Sequence, residues 1–172
     1  MLTGKAIIRA VSQGRIRIEP FRCLQVNPNS YNFRLGDRLL AMTTPGEEPD
    51  PFLIPPGGYV LIPGVVYLGM TEELIGSSHF AMTLLGRSSL GRLGLFVNIT
   101  ADLGHVGSFS HWTLELTVVQ PLRVYSAMLL GQVVFWPVEG ARQHYGGRYA
   151  HHTSPTPCLD RTLCLSLAEE SI

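Results

Sequence analysis

Charged residues are scarce in this sequence of 172 residues, at 15% of the total, and Lys5 is the only lysine. Thirteen basic residues balance thirteen acidic ones, so the formal charge is zero. Proteins that bind long nucleic acids neutralise many phosphates and carry a basic excess. The sequence therefore argues against a nucleic-acid polymer as partner. A small phosphorylated ligand is still compatible with it, because a few arginine forks suffice to bind one.

Cysteines and long apolar runs are also few. Cys23, Cys158 and Cys164 have no spacing typical of a disulfide framework, which favours a reduced, intracellular protein. No run of about 18 apolar residues is present, and the N-terminal segment lacks the continuous apolar stretch of a signal peptide. The sequence predicts a soluble, cytoplasmic protein without a membrane partner.

Short runs of alternating polar and apolar residues recur along the chain, separated by eighteen glycines and twelve prolines. This pattern is typical of many strands joined by tight turns. One short helix is predicted over 3–13, capped by Thr3 and stopped by Gly14, and a second helical piece over 88–93. We expect one mainly β domain spanning 1–172, a sandwich or barrel. Its periodicity fades after Gly140, so 141–172 is interpreted as a C-terminal tail.

Six histidines and three cysteines raise the question of a metal site. His105 and His111 fit no recognised zinc spacing, and five residues separate Cys158 from Cys164. Zinc-dependent nucleobase deaminases need H-x-E and P-C-x-x-C, and this chain has neither. We therefore expect no metal ligands in the protein.

The segment 86–94, GRSSLGRLG, combines two arginines, two serines and three glycines. Arginine forks, hydroxyl donors and closely approaching backbone N–H groups are what a phosphate chain requires. The segment lacks the lysine and the spacing of a P-loop. From the residues alone it is either a phosphate site or a capped surface turn.

Glu115 interrupts the strongly apolar segment 112–119. A carboxylate in a half-buried site can exchange protons near neutral pH and so act as a general base. The alternative is a solvated glutamate on a strand edge.

These features, their order and their spacing resemble the dCTP deaminase branch of the dUTPase-like superfamily. The resemblance covers most of the chain, and the motif around Arg87 matches nearly letter for letter. The matching segments are 3–5, 14–16, 18–21, 27–36, 86–89, 92–95, 100–101, 113–116, 121–122, 128, 131–132, 148–149 and 155–157.

The resemblance implies a distorted β-barrel or jelly-roll-like fold, assembled as a homotrimer with active sites between subunits. Glu115 would be the catalytic base of a metal-independent deamination of a cytosine nucleotide, dCTP to dUTP with release of ammonia. Mg²⁺ would accompany the triphosphate without taking part in the chemistry. The residues expected to bind the substrate are Arg87, Ser88, Ser89 and Arg92 at the phosphates, Thr100 and Ala101 at the water and the base edge, and Tyr145, Arg148, Tyr149 and His152 in a closing tail. Asp102 is also counted among them, and it could substitute for a carboxylate missing from the next turn of the loop only if that loop shifts.

One loop departs from the family pattern. His105 stands where dUTPases and bifunctional members carry the aspartate that activates water for attack on the phosphate chain, and a histidine cannot accept hydrogen bonds as a carboxylate does. Diphosphate release is therefore not expected. Leu103 replaces an arginine or an aromatic residue, and Ser108 removes an aromatic wall that Phe109 could replace.

Smaller departures lie elsewhere. Asn32 stands where the family usually has aspartate, Arg148 where it has lysine, and His152 where it has glutamine. Two alternatives to deamination are open: a dUTPase-type nucleotide diphosphatase, and a catalytically altered nucleotide-binding or regulatory protein. A reaction on a modified nucleotide is also compatible with the altered loop.

Overall fold

A computed structural model describes residues 1–42, 49–147, 149 and 154–160, which are mainly β as predicted. The helices are α1 (Gly4–Ser12) and α2 (Ser88–Gly91), with a 3-10 turn at Cys23–Gln25. The strands are β1 (Arg17–Glu19), β2 (Tyr31–Arg34), β3 (Arg38–Met42), β4 (Phe52–Leu53), β5 (Tyr59–Leu61), β6 (Val66–Gly76), β7 (Phe80–Gly86), β8 (Leu95–Val97), β9 (Leu103–Gly104), β10 (Phe109–Val118), β11 (Leu122–Val124) and β12 (Leu129–Pro137). No helix within these described ranges is long and apolar enough to cross a membrane.

Helix α1 begins and ends where the sequence predicts. The Thr3 hydroxyl accepts a hydrogen bond from the Ala6 N–H at 3.4 Å, the N-cap arrangement. Ile7 and Ala10 are buried on its inner face. Gly14 follows with a φ of +68°, a left-handed conformation that glycine adopts without a steric penalty.

The largest sheet is built around β6, and its strand order is β4-β3-β6-β10-β8. β10 pairs antiparallel with one edge of β6, while β3 and β1 pair with different parts of the other edge. A four-stranded sheet has the order β2-β12-β7-β9, and β11 pairs with β5. Buried side chains from all three sheets form one core cluster, which includes Tyr31, Phe33, Met82, Leu116 and Phe135. The closure of these sheets into a barrel or jelly roll, and the trimer, stay predictions.

The pairing of β10 with β6 is irregular between His111 and Thr113. At this point Thr71 of β6 holds both sides together: its hydroxyl accepts from the Trp112 N–H at 2.9 Å, and its carbonyl accepts from His111 Nδ1 at 3.1 Å. The same hydroxyl donates to the Glu73 carbonyl at 2.6 Å. The irregularity is thus stabilised by specific hydrogen bonds.

The fully buried Glu73 lies next to this irregularity in a polar cluster. Its carboxylate accepts from the Gln25 amide and from the Arg34 backbone N–H, both at 2.8 Å, and Arg22 lies 3.4 Å away. Burial is the largest influence and raises the pKa of Glu73 despite these hydrogen bonds. Burial also raises the pKa of the neighbouring Tyr31 to about 12.

The raised pKa of Glu73 predicts a pH-dependent contribution to stability. Because the folded state binds this proton more tightly, the contribution is complete below the ordinary value of 4.5 and is lost as pH rises through the folded pKa. Each tenfold difference in proton affinity between the folded and unfolded states contributes about 1.4 kcal/mol. Chemical denaturation of the wild type and of Glu73→Gln between pH 4 and pH 8 measures the contribution. The difference in unfolding free energy, wild type minus variant, should fall as pH rises.

Glu19 supplies the control for this measurement. It is exposed, and its hydrogen bond to Arg17 lowers its pKa, so the difference for Glu19→Gln should not fall with rising pH. A difference for Glu73→Gln that stays constant or increases with pH would contradict the prediction.

Candidate active site

A cavity of about 650 Å³ lies between the large sheet and β9. Its wall combines apolar side chains from β3 and β6 with polar ones from β10, and the tail covers one side. The lining residues are Met42, Val66, Leu68, Asn98, Ala101, Leu103, His105, Ser108, Ser110, Trp112, Thr113, Glu115, Tyr145, Tyr149, Thr156, Pro157 and Cys158. A mostly apolar concavity with a few polar groups is typical of a small-molecule site.

Glu115 is half-buried in this cavity, as predicted, and is not a solvated residue on a strand edge. β10 places it, pairing it with Leu68 of β6. On its other side, the Asn98 N–H donates to the Glu115 carbonyl at 3.0 Å, and the Glu115 N–H donates to Asn98 Oδ1 at 2.8 Å. The backbone that carries the carboxylate is therefore held on both edges.

Ser110 and Thr113 line the same cavity as Glu115. In an unbroken strand, Ser110 would face away from Thr113 and Glu115, because side chains alternate between the two faces. The irregularity between His111 and Thr113 removes this restriction. It gives the cavity wall hydroxyl groups on either side of Trp112, whose indole N–H donates to the Ile75 carbonyl at 2.9 Å.

The described part of the tail covers one side of the cavity. The Tyr145 N–H donates to the Val106 carbonyl at 2.9 Å, and the Thr156 N–H donates to the Thr113 hydroxyl at 3.2 Å. The Tyr149 hydroxyl accepts from the Leu159 N–H at 3.0 Å. The predicted tail residues Tyr145 and Tyr149 therefore lie at the same cavity as Glu115.

The loop that departs from the family pattern also faces this cavity. Leu103 and His105 both line it, and the His105 ring stacks on Tyr145 with centroids 5.0 Å apart. Gly107 has a φ of +89°, and a Cβ there would lie 2.8 Å from the Cβ of His144. Loop and tail pack so closely that this position needs glycine.

Three details of this loop differ from or refine the expectations. Phe109 does not replace the missing aromatic wall: its ring packs against Gly76, and it is not among the residues that line the cavity. Trp112 supplies an aromatic side chain there instead. Asp102 is also not a lining residue; its carbonyl accepts from the Leu84 N–H at 2.9 Å.

The four predicted phosphate ligands do not line the cavity of the single chain. Ser88, Ser89 and Arg92 are exposed on or beside α2, and Arg87 is half-buried at its N-cap. Thr100 is exposed beside Ala101, which does line the cavity. Arg148 and His152 lie outside the described residues. The roles assigned to all of these side chains stay predictions.

Sequence reasoning missed several cavity residues. Asn98 follows the last residue of β8 and has a φ of +48°, and no motif marks it. Ser110 is missed because strict alternation places it on the face opposite to Glu115. Thr113 shares the face of Glu115 under the same rule and could have been inferred from it. Among the described residues, no group of three or more His, Cys, Asp or Glu side chains is arranged to hold a metal ion.

Comparison with known proteins finds a matching family model and named relatives. A family model described as dCTP deaminase-like matches residues 1–138. A protein of Leptospira biflexa named "dCTP deaminase, dUMP-forming" is 42% identical over 166 residues, which cover 92% of this chain and 95% of the relative. A protein of the same name from Clostridium botulinum is 38% identical over 167 residues, covering 92% and 95%.

A solved structure extends the similarity to the fold. The 2'-deoxycytidine 5'-triphosphate deaminase of Agrobacterium tumefaciens superposes with a TM-score of 0.63 at 23% identity. The match covers 78% of this chain and 46% of that one. The fold, the matched domain and the relatives together show that this chain belongs to the dCTP deaminase-like family of enzymes.

Proposed function

We propose that this protein hydrolyses the exocyclic amino group of a cytosine nucleotide, converting dCTP to dUTP and ammonia. The observation that carries the proposal is the position of Glu115, half-buried in a largely apolar cavity and held by Asn98. A carboxylate partly withdrawn from water, beside a space that fits a pyrimidine, is suited to general acid–base catalysis. The names of the relatives support cytosine as the base.

The chemistry needs one water molecule and one residue that moves protons. Glu115 takes a proton from water, and the resulting hydroxide bonds to C4 of cytosine while Glu115 passes the proton to N3. The C4–N bond then breaks, and the second proton of the water leaves with the amino group as ammonia. The backbone at Thr100 and Ala101 would hold the water and the base edge. Water and the cytosine ring together supply all the atoms of uracil and ammonia, so the reaction needs no oxidant or reductant.

The triphosphate requires cations, and no arginine or lysine is among the described residues that line the cavity. Arg87 and Arg92 form no ion pair within the described residues and are available for an anion. Exposed apolar side chains flank them, with Phe96 42% and Val119 67% exposed. We propose that a second copy of the chain covers this surface, so that α2 of one subunit reaches the cavity of its neighbour in a homotrimer.

The tail completes the proposed site. Tyr145 and Tyr149 already lie at the cavity, and Arg148 and His152 would close over the phosphates with them. Mg²⁺ would enter bound to the triphosphate. The reaction involves neither a membrane nor a nucleic-acid polymer, and the cysteine spacing favours the cytoplasm as its location.

The product proposed for this chain differs from the one that the names of its relatives state. We propose dUTP, because His105 faces the cavity where an aspartate would be needed to activate water at the phosphate chain. The second candidate is dUMP with diphosphate release, which the names of the relatives favour. Following ammonia and pyrophosphate separately with dCTP, CTP, dCMP and dUTP distinguishes the two. Pyrophosphate without ammonia would indicate a dUTPase-type reaction, and binding without either product a regulatory protein.

Glu115→Gln tests the assignment of the base. It removes the group that accepts the proton and keeps the shape, so ammonia release should fall by about 10³-fold or more, with the Kd for dCTP changed less than about threefold. Turnover assays and calorimetry measure the two. Glu139→Gln, at an exposed position after β12, is the matched control and should be fully active. Near-normal turnover by Glu115→Gln would show that another residue is the base.

His105→Asp tests the assignment of the product. The wild type should release ammonia and accumulate dUTP, whereas His105→Asp, by restoring a carboxylate at the cavity, should release pyrophosphate at least ~10-fold faster. His105→Asn has the same shape without the charge and should not. Stoichiometric pyrophosphate release by the wild type would contradict this assignment.

Mixing variants tests whether two subunits share the site. Arg87→Ala should raise the KM for dCTP by about 10- to 100-fold, because it removes a charge-assisted contact to phosphate. Coexpressed with Glu115→Gln, it should regain activity at about a quarter of the sites, those that combine an intact Glu115 with a neighbour's intact Arg87.

Coexpression of Glu115→Gln with the double variant Arg87→Ala/Glu115→Gln is the control and should regain nothing. If the Arg87→Ala and Glu115→Gln mixture regained nothing either, both residues would have to serve the site from the same chain.

A further inference from the structure

Asn98 is a buried polar residue of the cavity to which neither the motifs nor the family resemblance assigns a task. It is 7% exposed and lines the cavity together with Glu115. Its backbone N–H and its side-chain Oδ1 both bond to the Glu115 backbone, at 3.0 and 2.8 Å. Asn98 and the catalytic carboxylate are therefore parts of one hydrogen-bonded unit.

The chemistry of these bonds fixes which way the Asn98 amide is turned. The Glu115 N–H is a donor, so only the carbonyl end of the amide can accept from it. The amino end, Nδ2, is therefore turned away from the Glu115 backbone. No hydrogen bond of the described residues involves Nδ2, and Nδ2 is not one of their solvent-inaccessible atoms without a partner. It therefore keeps contact with solvent, on a residue that lines the cavity, where a ligand can accept its hydrogen bond.

The backbone at Asn98 explains why an asparagine suits this position. A φ of +48° places it in the left-handed region, which asparagine tolerates better than most residues. The chain leaves the β-ladder there, and the side chain supplies the acceptor that the departing backbone no longer offers to Glu115. The exposed residues Ile99 and Thr100 then lead to Ala101 at the cavity.

We propose that Asn98 is a substrate-binding residue whose Nδ2 donates a hydrogen bond to the carbonyl oxygen O2 of the pyrimidine ring. The inference rests on the proposed function, because it takes a cytosine ring as the ligand. The ring offers two acceptors, O2 and N3. N3 has to receive the proton from Glu115, so O2 is the acceptor left for a second residue. Asn98 thus couples recognition of the base to the placement of Glu115.

Asn98→Asp separates this role from a purely structural one. A carboxylate still accepts from the Glu115 N–H and still suits the left-handed backbone, but it presents an acceptor to O2 where the amide presented a donor. The variant should melt within a few degrees of the wild type, while kcat/KM for dCTP falls by about 100-fold or more. Asn29→Asp makes the same change at an exposed turn and should leave both unchanged.

Comparing two ligands gives a ratio of affinities that a purely structural defect would not change. The Kd values for dCTP and for 2-thio-dCTP, in which a weak acceptor replaces O2, are measured by calorimetry in the Glu115→Gln background. The chain with Asn98 should prefer dCTP by about 10-fold, and the chain that also carries Asn98→Asp should show no preference.

The outcomes decide the proposal in each case. A folded Asn98→Asp variant that keeps kcat/KM within about threefold, or that keeps the preference for dCTP over the thio analogue, overturns it. Where Asn98→Asp fails to fold, Asn98→Gly suits the left-handed backbone without either amide end, and is judged by the same comparison. Absence of ammonia release by the wild type would refute the proposed function, while the binding comparison would still decide the role of Asn98.

Discussion

The antiparallel pairing of β10 with β6, with its irregularity between His111 and Thr113, is the constraint on which the rest of the site depends. Thr71 holds the irregularity by bonding to Trp112 and His111. On the β6 side, the Glu73 carboxylate lies in a buried polar cluster, where it accepts hydrogen bonds from Gln25 and from the Arg34 backbone. On the β10 side it brings Ser110, Thr113 and Glu115 to one cavity.

The cavity therefore combines parts with different physical requirements. β6 and β10 form a wall held by their backbone pairing and by the hydrogen bonds of Thr71, which suits the role of base proposed for Glu115. The loop at Leu103 and His105 packs against the tail through Gly107 and the His105–Tyr145 stack. Specificity can change in this loop without disturbing the wall, which is consistent with the departures from the family pattern being concentrated there.

Local features of the fold could be predicted from the sequence because local interactions determine them. Thr3 and Gly14 mark the ends of α1, and period-two alternation marks the strands. Glu115 was found because a charge in an apolar strand is conspicuous. The cluster around Glu73 could not be found, since Gln25 and Glu73 are 48 residues apart and meet only through the sheet. The register irregularity and the position of Asn98 likewise depend on pairing between strands, which alternation within one strand does not reveal.

The position of α2 away from the cavity is another feature that the sequence could not predict. The sequence places Arg87 and Glu115 in one family pattern, but of these two residues Glu115 lines the cavity of a single chain and Arg87 does not. A pattern of motifs records which residues serve a site, not which copy of the chain supplies them. The proposed subunit arrangement is argued from exposed apolar side chains such as Phe96 and Val119, which sequence motifs do not identify.

The structure of the Glu115→Gln variant bound to dCTP is the most direct measurement of whether this cavity is a deaminase site. We predict that the pyrimidine ring occupies the space between β10 and the tail, with O2 facing Asn98. C4 should lie about 3–4 Å from a water held by the amide side chain that the substitution introduces. A nucleotide bound elsewhere, with its base outside this cavity, would contradict the assignment of the active site.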